Sequence, residues 1–452
     1  MLTKGETYPN AKDSQRILQE SFYEKLLLNQ SVGNYEWTEV NGKRTKVPKD
    51  PIVPIPQTIA DISADLLLGE FPTIILPEDR QEEFDAWASE SDLGTKLLEG
   101  ATYVSAIGTI FSSMMKLDNE VIYDLKPGNQ VTWSEEFGKV TNVKIILGTS
   151  KTKSGNDIIY EIQEWSLPNS TLIIEHYNAK VRISDHEVQD VALIDEPQMP
   201  GLDFIPIAKW INVGVMGQLN GRSDYAGKSQ LFSEIDNRID QNNDVLQENA
   251  EPWKAVPAGI LNQDGQLNRA NYTSKMFEKT MGGQADNGVD IMTWDGQLGA
   301  AFDQIEMMID MTFFTSRISN PISGRLKNGS GSDSGKALKW QSVSTIAMKQ
   351  RKEKYANTFI RNFINQWSKL TGEEIEKQDI KIQWQDGLPI DEEEETTNVV
   401  AQVNAGLMSR ETAIEKLQEL STDDAKDELD RILAGEVQQA ENEAKSVSPL
   451  VV

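Results

Sequence analysis

The sequence predicts an α+β protein built from several units, and three observations carry that reading. Apolar residues recur near a period of 3.6 through most of the first hundred residues and again after Ser229. Between Lys116 and Ile211 the period changes to two. The chain is 452 residues long, which suggests roughly three domain-sized units and is sufficient for a substantial core.

Near the N-terminus, Ile17, Leu18, Phe22, Leu26 and Leu27 sit at helical spacing within Asp13–Leu28. Trp37-Thr38-Glu39-Val40 and Lys43-Arg44-Thr45 flank Asn41-Gly42, a pair that favours the positive φ angles of a type I′ hairpin. Pro51-Ile52-Val53-Pro54-Ile55-Pro56 predicts a stiff connector that cannot be helix, because proline fixes φ and lacks an N–H. Helix resumes from Ile59 to Leu68 and stops at Gly69. Glu82–Trp87 and Leu93–Met115 also read as helical, the latter rich in small residues.

In the next stretch Val140, Val143, Ile145 and Leu147 sit among polar residues. Ile158-Ile159-Tyr160-Glu161-Ile162 and Leu172-Ile173-Ile174 bracket a turn at Pro168-Asn169. Lys116–Ile211 is therefore expected to form an antiparallel β-rich unit. His176 and His186 lie on or beside its strands without companion ligands, which points to surface or packing roles.

Gly221–Ser229 leads into a helix from Ser229 to about Ala250, ended by Pro252. Residues 251–297 are mixed, with turn signals at Asn262-Gln263-Asp264-Gly265, Gly282-Gly283 and Asn287-Gly288. A second helix spans Leu298–Ser319, with Pro321 beyond it, and a Gly/Ser-rich loop occupies 320–335. Lys336–Leu370 contains no Pro or Gly and predicts one helix roughly 50 Å long at about 1.5 Å per residue. Its Leu338, Trp340, Val343, Ile346, Ala347, Phe359, Phe363 and Trp367 read as a core-facing stripe. A short strand at Ile380–Trp384 and helices over 391–405, 410–420 and 423–444 complete the chain. Glu392-Glu393-Glu394-Glu395 reads as a solvated helix start, where carboxylates suit the dipole.

Charge narrows the function. Lys+Arg number 44 and Asp+Glu 71, a net charge of −27. A protein that grips nucleic acid concentrates cations against phosphate; this one repels a polyanion on average. With no cysteine, disulfides, thiolate catalysis and Cys-ligated metals are excluded, and two histidines argue against a His-rich metal site or a His-based triad. No apolar run reaches the ~18 residues of a membrane span. The polar start Met1–Glu6 lacks a signal-peptide core. The expectation is a soluble chain, intracellular at synthesis, without a membrane partner.

Two Gly/Lys patterns hint at phosphate binding. Gly221-Arg222-Ser223-Asp224-Tyr225-Ala226-Gly227-Lys228-Ser229 has five residues between its glycines where a P-loop needs four, and no βαβ series surrounds it. A helix N-terminus closed by Ser229 fits better. Gly331-Ser332-Asp333-Ser334-Gly335-Lys336 has only three and reads as a flexible loop capping the next helix. Arg325 and Lys327 on that loop are compatible with contact to DNA phosphate.

The helices around 251–297 are more informative. Asp236, Asp240, Asp244 and Glu248 recur every four residues as one drifting acidic stripe, with Leu231, Ile235, Ile239 and Leu246 on a different face. On the second helix Asp303, Glu306 and Asp310 share one face, and Phe302, Ile305, Ile309, Phe313 and Ser316 another. The plain alternative is an amphipathic hairpin with a solvated acidic side. Paired carboxylates also suggest a metal site or a glycosidase, but nothing in the sequence sets a pocket around them. No cofactor, metal or catalytic residue is assigned.

In this order the parts resemble the portal proteins of tailed bacteriophages, of the type found in phages of Gram-positive hosts. The resemblance spans nearly the whole chain. It rests on Ile59-Ala60-Asp61-Ile62-Ser63-Ala64-Asp65-Leu66-Leu67-Leu68-Gly69-Glu70-Phe71-Pro72, on the two stem-like helices and the insert between them, on Ser334-Gly335-Lys336-Ala337-Leu338-Lys339, and on Ala405-Gly406-Leu407-Met408-Ser409-Arg410-Glu411-Thr412-Ala413-Ile414. The chain is compact for the type, which implies a reduced clip and crown.

The resemblance implies a non-enzymatic ring of about twelve subunits at one capsid vertex. Residues 1–225, helical then β-rich, would form the wing together with 336–386, the long spoke helix and strand. Residues 226–250 and 298–319 would be the two stem helices, 251–297 a small α/β clip, 320–335 the tunnel loop and 387–452 the α-helical crown and tail. Double-stranded DNA would pass along the axis during packaging and ejection. The terminase large subunit would dock first, then head-completion and adaptor proteins, while major capsid and scaffolding proteins would contact the wing. Arg325 and Lys327 would touch DNA, and Asp236, Asp240, Asp244, Glu248, Asp303, Glu306 and Asp310 would line the tunnel. The location implied is the virion's portal vertex, and the host cytoplasm during assembly. Two other classes remain open: an acidic virion assembly or scaffold protein without a channel, and an NTP-using enzyme built on Lys228.

Overall fold

The computed structural model describes residues 1–30, 35–40, 43–48, 53–118, 120–136, 138–250, 252–257, 270–271, 275–279, 289–292, 298–325, 340–385, 392–418 and 425–435. Two compact units are distinguished, Met1–Lys327 with Gln341–Gly387, and Asn328–Trp340 with Leu388–Val452.

The first unit opens with α1 (Ala11–Leu27), capped by Asn10, whose Oδ1 accepts from the Asp13 N–H at 2.9 Å. Strands β1 (Tyr35–Val40) and β2 (Lys43–Pro48) pair antiparallel with Val40 opposite Lys43. Their pairing is the hairpin read from the sequence; Asn41 and Gly42 themselves lie outside the described residues. Helix α2 (Ile55–Leu68) corrects the connector reading, because it starts at Ile55 and not at Ile59. Pro56 sits in its first turn, where the N–H has no intrahelical partner to lose.

β3 (Thr73–Ile75), α3 (Glu78–Glu90) and α4 (Leu93–Ile107) follow. The single helix expected over Leu93–Met115 is also corrected: it ends at Gly108, and β4 (Thr109–Leu117) begins at once. Gly108 has φ +96°, and a Cβ there would lie 2.4 Å from the Gly221 carbonyl oxygen. Only glycine allows both this left-handed turn and this approach.

β4 is the centre of a three-stranded antiparallel sheet, flanked by β5 (Glu120–Pro127) and by β11 (Ile207–Ile211). Strands β6 (Val131–Glu136), β7 (Lys139–Lys151), β8 (Asp157–Ser166), β9 (Ile173–Arg182) and β10 (Val188–Leu193) form a second sheet in the order β10-β9-β8-β7-β6, antiparallel throughout. Val143 and Ile145 point inward, but Leu147 is 45% exposed. The register shifts between Ile146 and Gly148, and such a bulge displaces the residue inside it from the alternating pattern.

Beyond these sheets lies α5 (Ser229–Ala250), whose extent is the one read from the sequence. Its first turn bonds Phe232 N–H to the Lys228 carbonyl, so Lys228 and not Ser229 takes the capping position. β12 (Trp253–Val256), β13 (Ala270–Asn271), β14 (Met276–Glu278) and β15 (Asp290–Met292) form a sheet in the order β13-β14-β12-β15, with β12 and β14 parallel. The helical part of the α/β expectation for 251–297 has no counterpart among the described residues. α6 (Leu298–Thr315) ends before the expected Ser319, where Arg317 takes φ +61°.

α7 (Val343–Thr371) is the long helix, closed by Gly372 at φ +116°; residues 336–339 lie outside the described residues. The predicted core stripe holds in its second half, where Phe359, Phe363 and Trp367 are buried. Trp210 of β11 stacks on Phe359 (4.8 Å between centroids), and Phe84 and Trp87 of α3 meet Trp367 at 5.2 and 5.6 Å. The first half departs from the prediction: Trp340, just ahead of α7, is 79% exposed, Val343 and Ala347 are exposed, and Ile346 is half-buried. Thr345, Met348, Lys349 and Lys352 are buried there in their place, the lysines because their ammonium groups reach Gln385 O and Asp224. β16 (Lys381–Gln383) then pairs with β3, Ile382 opposite Ile74.

The second unit contains α8 (Glu392–Asn404), α9 (Arg410–Gln418) and a helix over 425–435, close to the three helices predicted. No helix among the described residues is long and apolar enough to cross a membrane.

Candidate functional site

The chain's most distinctive surface is the pair α5–α6, which pack against each other, with Phe232, Ile235, Met308 and Phe313 buried in the same apolar core. Both helices are amphipathic, so burying one face leaves the carboxylate stripes to be placed by geometry.

The α5 stripe does not stay on one environment. Asp236 is 9% exposed and accepts a hydrogen bond from the Val53 N–H (3.3 Å). It sits in the buried foot of the helix, in a different environment from the rest of the stripe. The physical reason is drift: residues four apart advance about 40° around a helix at 3.6 residues per turn, so a stripe that starts in a packed face leaves it. Asp240 is half-buried, and Asp244 and Glu248 are exposed.

On α6, Asp303 and Glu306 are exposed and Asp310 is half-buried. The sequence places Arg325 on a flexible loop as a DNA contact; the structure places it against this stripe. Its Nε donates to Asp310 Oδ1 at 3.0 Å and its Nη2 lies 3.6 Å from Glu306 Oε1. Arg325 is thus an ion-paired residue with 28% of its side chain exposed, not an unengaged cation. Lys327 lies outside the described residues.

The apolar face of α6 also needs correction. Ile305 and Phe313 are buried and Ile309 is half-buried, but Phe302 is 51% exposed. Sequence reasoning missed a separate apolar stripe at i, i+4 and i+7: Met307, Met311 and Phe314, exposed by 57, 48 and 80%. The spacing was visible in the sequence; that this face is uncovered in the single subunit was not.

The foot of α5 is held by a polar cluster. Lys352 of α7 donates to Asp224 Oδ2 and to Ser63 Oγ. Ser105 Oγ donates to Asp224 Oδ2 (2.6 Å), Asn212 Nδ2 to Asp224 Oδ1 (2.9 Å), and Lys228 Nζ to the Asp224 carbonyl. Burial alone would raise the Asp224 pKa; the Lys352 ammonium and these hydrogen bonds outweigh it and hold the carboxyl below the usual range. Burial, the largest influence, lowers the Lys228 pKa; Asp224 opposes it, while Arg222 and Lys352 add to it. The Lys228 side chain, which an NTP-using alternative would need at a phosphate, is turned inward.

His176, read as lacking companions, is flanked on both sides. Nδ1 lies 2.8 Å from Asp195 and Nε2 3.0 Å from Glu161. The sequence signal was weak, since Asp195 follows 19 residues later in a loop.

Residues 218–444, half of the chain, match the family described as Phage portal protein, SPP1 Gp6-like. No curated protein matches the sequence. Among solved structures, the fold is similar to a chain of the virion of a native gene transfer agent (GTA) particle, at 10% identity and a TM-score of 0.45, covering 88% of this chain and 98% of that one. It is also similar to a chain in the neck of the native GTA particle computed with C12 symmetry, at 9% identity and a TM-score of 0.45, covering 87% and 97%.

Proposed function

This chain belongs to the SPP1 Gp6-like phage portal protein family, and from that premise we propose that about twelve copies close into a ring that conducts double-stranded DNA. The ring sits at one capsid vertex of the virion, after assembly in the host cytoplasm, in a phage of the type that infects Gram-positive hosts. α5 and α6 form the stem, 251–297 the clip, 320–335 the tunnel loop, α7 with residues 1–225 the wing, and 387–452 the crown. The terminase large subunit docks on the clip and is replaced by head-completion or adaptor proteins; scaffolding and major capsid proteins meet the wing. The chain carries out no catalysis.

The observation that carries this reading is the juxtaposition on one helix pair of exposed carboxylates (Asp244, Glu248, Asp303, Glu306) and an uncovered apolar stripe (Met307, Met311, Phe314). A conduit must not grip its cargo. Carboxylates repeated around a ring repel phosphate, and low-dielectric walls focus that field. An apolar stripe of this kind marks a protein contact, and in a ring the neighbouring stem covers it. Arg325, held by Asp310 and Glu306, supplies a cation at the wall that passing phosphates share only briefly.

Mass photometry of the purified chain tests the association. The wild type assembles into a ring-sized species, and Met311→Glu/Phe314→Glu remains smaller while keeping its circular-dichroism spectrum. A double variant that assembles like the wild type removes the stripe from the interface. A wild type that forms only compact dimers favours an acidic scaffold protein without a channel.

A further inference from the structure

We propose that the outer edge of β11, with the cleft beside it, is a docking site for an extended acidic segment of a partner protein.

β11 is an end strand of its sheet, and among the described residues it pairs with β4 alone. Pro206 O accepts from the Met114 N–H and Asn212 N–H donates to Gly108 O. In an antiparallel ladder such bonds alternate, so the even-numbered residues here face β4. The backbone groups of Ile207, Lys209 and Ile211 then face the other way. Both groups of Ile207 are engaged, its N–H donating to Ile205 O at 2.8 Å and its carbonyl accepting from Gln366 Nε2 at 2.9 Å, so the edge offered to a partner is that of Lys209 and Ile211. Gln366 Oε1 is buried without a donor among the described residues.

Beside this edge lies a cleft of about 1230 Å³, walled by Tyr355, Asn362 and Gln366 of α7 and by the Gly138-Lys139 turn between β6 and β7. Open strand edges are where extended peptides add a strand, and folded proteins usually cover or charge them. Five residues of β11 at about 3.3 Å each give room for a segment of similar length. Its alternate side chains would point to the two walls.

The charge of the rim selects the occupant. Lys139, Lys369 and Lys377 gather there. Lys369 pairs with Glu374 at 2.9 Å and Glu135 is taken by Lys209, whereas Lys139 and Lys377 make no ion pair among the described residues. Burial and the Lys369 charge, opposed by Glu374 and reinforced by Lys139, hold the Lys377 ammonium below its usual pKa. A carboxylate between Lys139 and Lys377 would relieve that crowding. Asp203 and Glu376 also border the cleft, with Glu376 accepting from Gln378. The chain's net −27 opposes an acidic partner at long range, but beyond about 8 Å it is largely screened at physiological salt, and the nearest lysines dominate.

Fluorescence anisotropy of the full-length protein with a labelled, acetylated Val-Glu repeat of about eight residues tests this. The probe binds saturably. Affinity falls about tenfold or more in Lys139→Glu/Lys377→Glu, and also for a repeat with proline at alternate positions, which lacks the N–H groups an edge requires. A Val-Lys repeat does not bind. Equal binding of the proline-containing or the Val-Lys repeat overturns the proposal, as does no binding of the Val-Glu repeat. Binding by the monomeric fraction alone, lost on assembly, assigns the cleft to a second copy of this chain and overturns the partner. The outcome is independent of whether the assembled ring conducts DNA.

Discussion

Asp224 and Lys352, 128 positions apart in sequence, meet as a largely buried ion pair that ties the foot of α5 to the long helix α7. The side chains are 17% and 4% exposed, and every other partner of the Asp224 carboxylate comes from a different element: Ser105 from α4 and Asn212 from the end of β11. Ser63 of α2 completes the Lys352 ammonium's shell. One carboxylate thus joins the packed core to the helix proposed as the stem.

Removing one partner of such a pair strands the other charge. Asp224→Asn should destabilise the chain by about 3 kcal/mol, and the Asp224→Asn/Lys352→Met double variant by less than Lys352→Met and Asp224→Asn summed. Chemical denaturation measures both. Because the folded pKa of Asp224 lies below its unfolded value, its contribution is present above the unfolded pKa and is lost as pH falls through the folded one. The Asn variant should therefore lose part of the wild type's acid-side slope.

Glu20 provides the opposite sign. Its carboxyl is 2% exposed, and burial raises its pKa from 4.5 to about 7 against the pull of Arg16. Protonated folded Glu20 is favoured between those values, so stability falls as pH rises from 4.5 to 7. Glu20→Gln should flatten this segment of the pH–stability curve. It should also be at least as stable as the wild type at pH 8, measured by thermal unfolding.

His176 reports on the β9–β10 edge. The hydrogen bond to Asp195 is the chief cause of its raised pKa; burial opposes it and Glu161 supports it. The stability it contributes is full below the unfolded histidine pKa and lost as pH rises through the folded one. The chain has only two histidines, so ring C–H resonances separate them. Asp195→Asn should lower the His176 titration midpoint.

How much of this was legible follows from which forces are local. The β1–β2 pairing follows from a local turn signal, the alternation of β7 to β9 from a period of two, and the extent of α5 from helical spacing closed by Pro252, and these were read directly. The break at Gly108 was missed because it depends on Gly221, which arrives from over a hundred residues away to make the close contact. Asp236 looked like its neighbours in the stripe, and only tertiary packing against Val53 removes it from solvent. Arg325 looked unengaged because its partners, Asp310 and Glu306, lie on another element. Likewise the aromatic stripe of α7 told its second half correctly, while in the first half Lys349 and Lys352 are buried by partners that no spacing shows.

The Arg325 ion pair makes a prediction about DNA. Arg325→Ala/Lys327→Ala should assemble normally but package or retain less DNA. Asp310→Asn/Glu306→Gln releases Arg325 and should strengthen nonspecific duplex binding, with the slope of log K against log salt steepening by about one unit. Filter binding across a salt series reads it. Normal packaging by the first variant would take both residues out of the mechanism.

Electron-microscopic class averages of the purified assembly, viewed along its axis, test the central claim most directly. The account predicts a closed ring of repeated subunits around an opening that admits a DNA duplex, with Asp244, Glu248, Asp303 and Glu306 on its wall. Particles that stay single at high protein concentration, or that close without such an opening, would contradict it.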